Sequence, residues 1–167
     1  MTQEEKQAVI DRAVEAAVAA QIRDDVCSRS TLIGLKTQFD WISDDMIKAS
    51  ASLCGGTGSA SGSCGAYCCG LLAVGQKFNS TPEEEQADEE AFGKTAMAFS
   101  EYRDKFYAEM GTILCPKIHE KLFGRSYDLM DDAEAGEFLN LPGHAETCAK
   151  TVAAATRLAA EMLLKDE

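Results

Sequence analysis

The 167-residue sequence lacks the features that mark several common protein classes. It has no run of Lys or Arg, and 28 acidic residues against 16 basic ones give a formal net charge of −12. Because such a surface repels phosphate groups and anionic lipid headgroups, we expect neither nucleic acid nor a membrane surface as a partner. No apolar run approaches the roughly 20 residues that a membrane-spanning helix needs.

Signatures of other chemistries are missing too. Neither G-x-G-x-x-G after a strand nor G-x-x-x-x-G-K-S/T occurs, which argues against a dinucleotide or phosphate site. The absence of C-x-x-C-H argues against covalently attached haem. The first residues include Gln3, Glu4, Glu5 and Lys6, where a secretory signal would be basic and then apolar, so we expect a cytoplasmic protein.

Helical spacing of apolar residues covers most of the chain, and no strand alternation of useful length occurs. Thr2-x-x-Glu5 forms a capping box for the first helix. The clearest start is the stretch TPEE at 81–84, and we expect its helix to run to Met110, with Gly111 as the stop. The sequence therefore predicts an all-α, single-domain bundle over 1–167, with about five to seven helices.

The other helix starts are less marked. They are assigned to Cys27, Ser43, Ser63, Cys115 and the region after Gly143. Residues 55–62 are rich in glycine and serine and break all periodicity, which indicates a flexible loop. Residues 125–141 show no clear pattern.

Cysteine is the residue that the sequence has in excess. The seven cysteines are Cys27, Cys54, Cys64, Cys68, Cys69, Cys115 and Cys148. Their number is odd, and in a reducing compartment such a set more often binds metal or performs redox chemistry than forms structural disulfides. Some could be small buried hydrophobic residues, but four of the seven lie within residues 54–69.

Three cysteines lie at predicted helix starts: Cys64 in a first turn, Cys115 just before Pro116, and Cys148 near the start of the last helix. The free N–H groups and the positive end of the helix dipole favour thiolate over thiol. We therefore expect at least one of these three to have a pKa below the ordinary value of about 8.5.

The stretch GGTGSASGSCGAYCCGLLAVG resembles the centre of the redox-active family named for its C-GCAxxG-C-C pattern. The flanking segments ILCPKIHEKLFG and HAETCAKTVAAATRLAAEML agree with it, and the resemblance spans about 20–165. It implies that the four family positions are filled by Cys27, Cys64, Cys115 and Cys148. Cys69 stands where the pattern has its final glycine.

A related domain in split-Soret cytochromes is associated with an iron–sulfur site. The resemblance therefore implies that Cys27, Cys64, Cys115 and Cys148 bind a 2Fe–2S or a 4Fe–4S cluster, for which four thiolates are the usual ligands. Cys68 and Cys69 would lie next to this site as further candidates for cofactor binding. Cys54 would be a bystander, and the Gly-rich loop would cover the site. Such a protein would be an electron carrier or accessory redox subunit with a redox partner protein.

Three alternatives stay open. The i,i+4 pairs Cys115/His119 and His144/Cys148 could bind zinc. A thiol–disulfide protein could use Cys64 or Cys115 as the reactive thiol and Cys68 or Cys69 to resolve it. A zinc-stabilised helical protein could serve only to bind a partner. The Ala-rich first and last helices also allow a homodimer.

Overall fold

The computed structural model describes residues 1–166 and is all-α, as predicted. The helices are α1 (Gln3–Asp24), α2 (Cys27–Lys36), α3 (Asp44–Ser50), α4 (Cys54–Thr57), α5 (Gly65–Phe78), α6 (Pro82–Ala87), α7 (Ala91–Met110), α8 (Cys115–Phe123), α9 (Asp132–Leu139) and α10 (His144–Leu163), with a 3₁₀ turn at Ala51–Leu53. Seven of these helices have eight or more residues, in agreement with the predicted number. Within residues 1–166, none combines the length and apolar character that crossing a bilayer requires.

The capping box at Thr2 and the glycine stop at Gly111 are confirmed. The Thr2 hydroxyl accepts a hydrogen bond from the Glu5 N–H at 3.2 Å, and the Glu5 carboxylate accepts one from the Thr2 N–H at 2.7 Å. Gly111 ends α7 with a φ of 76°, a left-handed conformation that costs glycine little. The helix expected after Ser63 begins one residue later than predicted, with Cys64 as its N-cap residue.

The prediction of one continuous helix from the TPEE stretch to Met110 is wrong, because α6 and α7 are separate helices. Asp88 is extended, with φ −135° and ψ 109°, and its carboxylate accepts a hydrogen bond from the Glu90 N–H at 2.9 Å. A short acidic side chain that bonds to the backbone in this way competes with helix continuation. The local turn at 88–90 therefore redirects the chain before α7.

The core of the bundle lies between α1, α2, α5 and α10, and α7 packs against α5 and α10. Helices α1 and α2 cross closely at Gly34. A Cβ at this position would collide with the Ala13 carbonyl oxygen and with Ala17. Ala13, Ala17 and Ala20 are fully buried at this crossing. The alanine face of α1, which suggested a homodimer, thus packs against another helix of the same chain. Self-association stays a prediction.

Candidate functional site

A cavity of about 130 Å³ lies where several helices begin. Its cysteine lining consists of Cys27, Cys54, Cys115 and Cys148. Both histidines of the chain, His119 and His144, also line it, together with Asp25, Gly55 and Phe138. The tertiary structure thus brings four thiols and two imidazoles, from positions 27 to 148, to one cavity.

Different elements carry the four thiols. Cys27 is the first residue of α2, Cys115 the first of α8, and Cys148 lies in the second turn of α10. Cys54 precedes the Gly-rich loop. Three of the four cysteines that the family resemblance selects, Cys27, Cys115 and Cys148, therefore share the cavity wall with Cys54, which we had expected to be a bystander.

A short antiparallel backbone contact joins the segments that carry Cys64 and Cys115. The Cys64 N–H donates to the Ile113 carbonyl at 2.8 Å, and the Cys115 N–H donates to the Gly62 carbonyl at 2.8 Å. Ser63 and Leu114 form the bridge between them. Because both hydrogen bonds involve a cysteine N–H, the starts of α5 and α8 are held in a defined relative position.

The Gly-rich loop lies against this contact. Residues 55–59 all have positive φ, including Gly55 at 63° and Gly56 at 79°. A Cβ at Gly56 would lie 2.6 Å from the Gly62 nitrogen and 3.0 Å from the Cys115 Cβ, so only glycine fits there. The loop also contributes Gly55 and Ser59 to the cavity lining, which is the position expected for a cover.

Cys27 is the thiol that the other cysteines surround. A hydrogen bond with the Cys64 thiol, followed by burial, raises the pKa of Cys27 well above its ordinary value, while the backbone N–H groups of Gly55 and Ala66 act in the opposite direction. The charge of an ionised Cys27 would also raise the pKa of five other cysteines, Cys54, Cys68, Cys69, Cys115 and Cys148. All seven cysteines therefore form one electrostatically coupled group.

The pKa is raised, and not lowered, at Cys115 and Cys148, so the expectation that at least one of the three helix-start thiols has a lowered pKa stays a prediction. Burial is the largest cause that raises the pKa of Cys115 and Cys148, and the charge of Cys27 acts in the same direction. Desolvation of a thiolate outweighs the favourable helix dipole at these positions. Without a bound cation, both groups are protonated thiols at neutral pH.

The remaining cysteines lie outside the cavity lining. Cys64 is 4% exposed and contacts Cys27. The Cys68 sulfur lies 3.8 Å from the Thr57 hydroxyl and faces a separate apolar groove, while Cys69 is fully buried in the core. Cys68 and Cys69, which were further candidates for cofactor binding, therefore do not line the cavity, and their binding role stays a prediction.

The two histidines have different partners. The His119 Nε2 lies 3.2 Å from the Cys115 sulfur, and the His144 Nε2 lies 3.2 Å from an Asp25 carboxylate oxygen. Both imidazoles pack against Phe138, with ring centroids 4.1 and 4.3 Å apart. The Nδ1 atoms of both rings are buried without a hydrogen-bond partner.

Sequence reasoning missed Asp25 and Phe138. Phe138 lies on α9, within the segment 125–141 that has no clear pattern, so no sequence signal indicated it. Asp25 ends α1 in the left-handed conformation, with φ 51°, which is uncommon outside glycine and aspartate or asparagine. An aspartate directly between two helices, two residues before Cys27, was the available signal.

The candidate ligand side chains line the cavity wall and do not converge on a single point. Among residues 1–166, no group of three or more His, Cys, Asp or Glu side chains stands in a position to hold a metal ion as the side chains are placed. The zinc alternative would require Cys115, His119, His144 and Cys148 to converge on one ion at about 2.0–2.3 Å. These four residues share the cavity wall, and side-chain movement would be needed to bring them together.

Acid should destabilise the metal-free protein through His119. Burial, followed by the charge of His144, lowers the pKa of His119 to about 4, against about 6.5 in an unfolded chain. The unfolded state then binds more protons between these values, so stability falls as pH falls from about 6.5 to about 4, by about 3 kcal/mol in total. Urea unfolding of wild type and His119→Phe across this range measures the difference. Equal losses in both proteins would contradict it.

Comparison with known proteins gives one match. Residues 26–162 match the sequence model of a family described as "Putative redox-active protein (C_GCAxxG_C_C)". The match covers all of the cysteines and both histidines. Neither the curated proteins nor the solved structures gave a match.

Proposed function

Because the chain belongs to the C_GCAxxG_C_C family of redox-active proteins, we propose that it transfers electrons through an iron–sulfur cluster bound in the cysteine-lined cavity. The observation that carries this proposal is the convergence of four thiols on one cavity of about 130 Å³. Cys27, Cys115 and Cys148 belong both to the family pattern and to the cavity wall, and we assign them as ligands.

The donor set fits such a cluster. Soft thiolate sulfur is the ligand that iron–sulfur clusters prefer. Burial raises the pKa of Cys115 and Cys148, so their thiolates need a cationic partner, and the iron ions of a cluster would provide it. When bound, the cluster would supply one-electron oxidation and reduction.

The residues around the ligands have their own part in this function. The backbone N–H groups of Gly55 and Ala66 approach the Cys27 sulfur, and the His119 imidazole lies beside the Cys115 sulfur. Hydrogen bonds to ligand sulfur raise the reduction potential of a cluster, because they stabilise the added negative charge. The Phe138 ring covers the two imidazoles and restricts the access of water.

The family pattern and the cavity wall point to different residues for the fourth ligand of the proposed cluster. The family resemblance assigns it to Cys64, whose thiol interacts with Cys27 and does not line the cavity. Cys54 and the two histidines already line the cavity. A cluster bound by three cysteines alone would have an exposed, oxidisable iron, which one of these groups would protect as a fourth ligand.

Metal and sulfide analysis of wild-type protein purified without oxygen tests the proposal. We expect iron and acid-labile sulfide in equal amounts and visible absorbance that dithionite bleaches, as for clusters that accept an electron. Zinc without sulfide would support the zinc alternative instead. Protein without metal, even after anaerobic reconstitution with iron and sulfide, would contradict both.

One observation favours a second candidate function, a thiol–disulfide protein. The interaction with the Cys64 thiol that raises the pKa of Cys27 makes these two residues the candidate reactive pair, in place of the Cys68 or Cys69 partners expected from sequence. Their oxidation would form one S–S bond and release two protons, with two electrons passing to an external oxidant. Peptide mapping of the metal-free protein after diamide treatment would reveal a Cys27–Cys64 disulfide if this function holds.

A further inference from the structure

The structure assigns His144 as the fourth ligand of the group bound in the cavity, through its Nδ1 atom. This inference rests on the proposed function, since it concerns the same cavity. It extends that function by placing a nitrogen ligand beside Cys27, Cys115 and Cys148.

The first argument is the carboxylate behind the ring. The His144 Nε2 lies 3.2 Å from an Asp25 oxygen, and the other oxygen of Asp25 accepts a hydrogen bond from the Gln21 amide at 2.8 Å. A carboxylate at this distance favours the tautomer with the hydrogen on Nε2 and the lone pair on Nδ1. A histidine that binds metal nearly always donates its other ring N–H to such a partner.

The second argument is the unused nitrogen. His144 is 7% exposed and lines the cavity, and its Nδ1 is buried without a hydrogen-bond partner. A buried acceptor in this condition is unfavourable, because it has lost its hydrogen bond to water and gained no other. A bond from Nδ1 to a metal in the cavity would remove that cost.

The third argument is charge. Asp25 places a carboxylate at the cavity, and its charge raises the pKa of both Cys54 and Cys148. A fourth thiolate would add a further negative charge to this site, whereas an imidazole adds none. The neutral ligand is therefore favoured over the Cys54 thiol, even though both line the cavity.

His119 is the matched control, because the two histidines share Phe138 and both lack an Nδ1 partner. Its Nε2 contacts the Cys115 sulfur and has no carboxylate partner, so we assign it a hydrogen bond to that sulfur instead of a bond to metal. The chain contains only these two histidines, which makes isotope labelling of histidine unusually selective.

Pulsed EPR of the reduced protein labelled with ¹⁵N-histidine tests the assignment. We expect strong ¹⁵N coupling in wild type and in His119→Gln, where His144 is the only histidine left. We expect His144→Cys to lose the coupling, keep the iron and have a lower reduction potential, because a thiolate replaces a neutral nitrogen. Cys64→Ser should retain both iron and coupling.

Each failure has a separate meaning. Iron and sulfide bound without ¹⁵N coupling in His119→Gln would overturn the assignment and leave the cluster itself in place. Loss of iron in Cys64→Ser, with no coupling in wild type, would return the fourth position to Cys64. Wild-type protein that binds neither iron nor sulfide would overturn the proposed function and this inference together.

Discussion

Cys27→Ser protein reconstituted without oxygen is expected to bind at least tenfold less iron than wild type. Cys27 lines the cavity, and its sulfur also receives the N–H groups of Gly55 and Ala66. Loss of a partner outside the metal's direct ligands typically costs about 10–100-fold in metal affinity, and loss of a ligand should cost at least as much. We expect the same result for Cys115→Ser and Cys148→Ser, measured as iron per protein.

Cys68→Ser is the control for these variants. Its thiol lies beside the Thr57 hydroxyl and faces the apolar groove outside the cavity, so the variant should retain bound iron. Circular dichroism of each metal-free variant separates loss of iron from loss of fold. Full iron occupancy in two of the three ligand variants would contradict the ligand assignment.

Gly34→Ala is expected to destabilise the protein by about 2 kcal/mol, although helix propensity alone would favour alanine. In a helix interior, alanine is normally more favourable than glycine by about 1 kcal/mol. Here the new Cβ would collide with the Ala13 carbonyl oxygen and with Ala17, which are parts of α1. Backbone atoms of a packed helix cannot rotate away, so α1 and α2 would have to move apart.

Gly93→Ala provides the matched comparison, because Gly93 is also inside a helix, and a Cβ there would have no heavy atom within 4 Å. We expect this variant to gain about 0.5–1 kcal/mol. Urea unfolding of wild type and both variants, with unchanged dependence on denaturant, measures the two effects. If Gly34→Ala were as stable as wild type, the close crossing of α1 and α2 would be contradicted.

Local sequence determined the secondary structure of this protein to a large extent. The capping boxes, the glycine stop after α7 and the proline at the start of α8 act within one helical turn, so their effect can be derived from neighbouring residues. The break at 88–90 is also local, but it depends on which way the Asp88 side chain bonds, and helix-forming residues on both sides concealed it.

The cysteine pattern identified the family, and with it three residues of the cavity wall, Cys27, Cys115 and Cys148. It selected Cys64 and treated Cys54 as a bystander, whereas Cys54 lines the cavity and Cys64 does not. The positions of both residues depend on the left-handed loop at 55–59 and on the backbone contact between Cys64 and Ile113.

Only the tertiary structure shows the surroundings of the thiols and of the imidazoles. Helix position alone predicted lowered thiol pKa values, but burial has the larger effect at Cys115 and Cys148 because it removes water from the whole sulfur atom. The contact between Asp25 and His144 joins residues 119 positions apart in sequence. Periodicity and capping extend over a few residues, whereas desolvation and such contacts depend on which helices pack together.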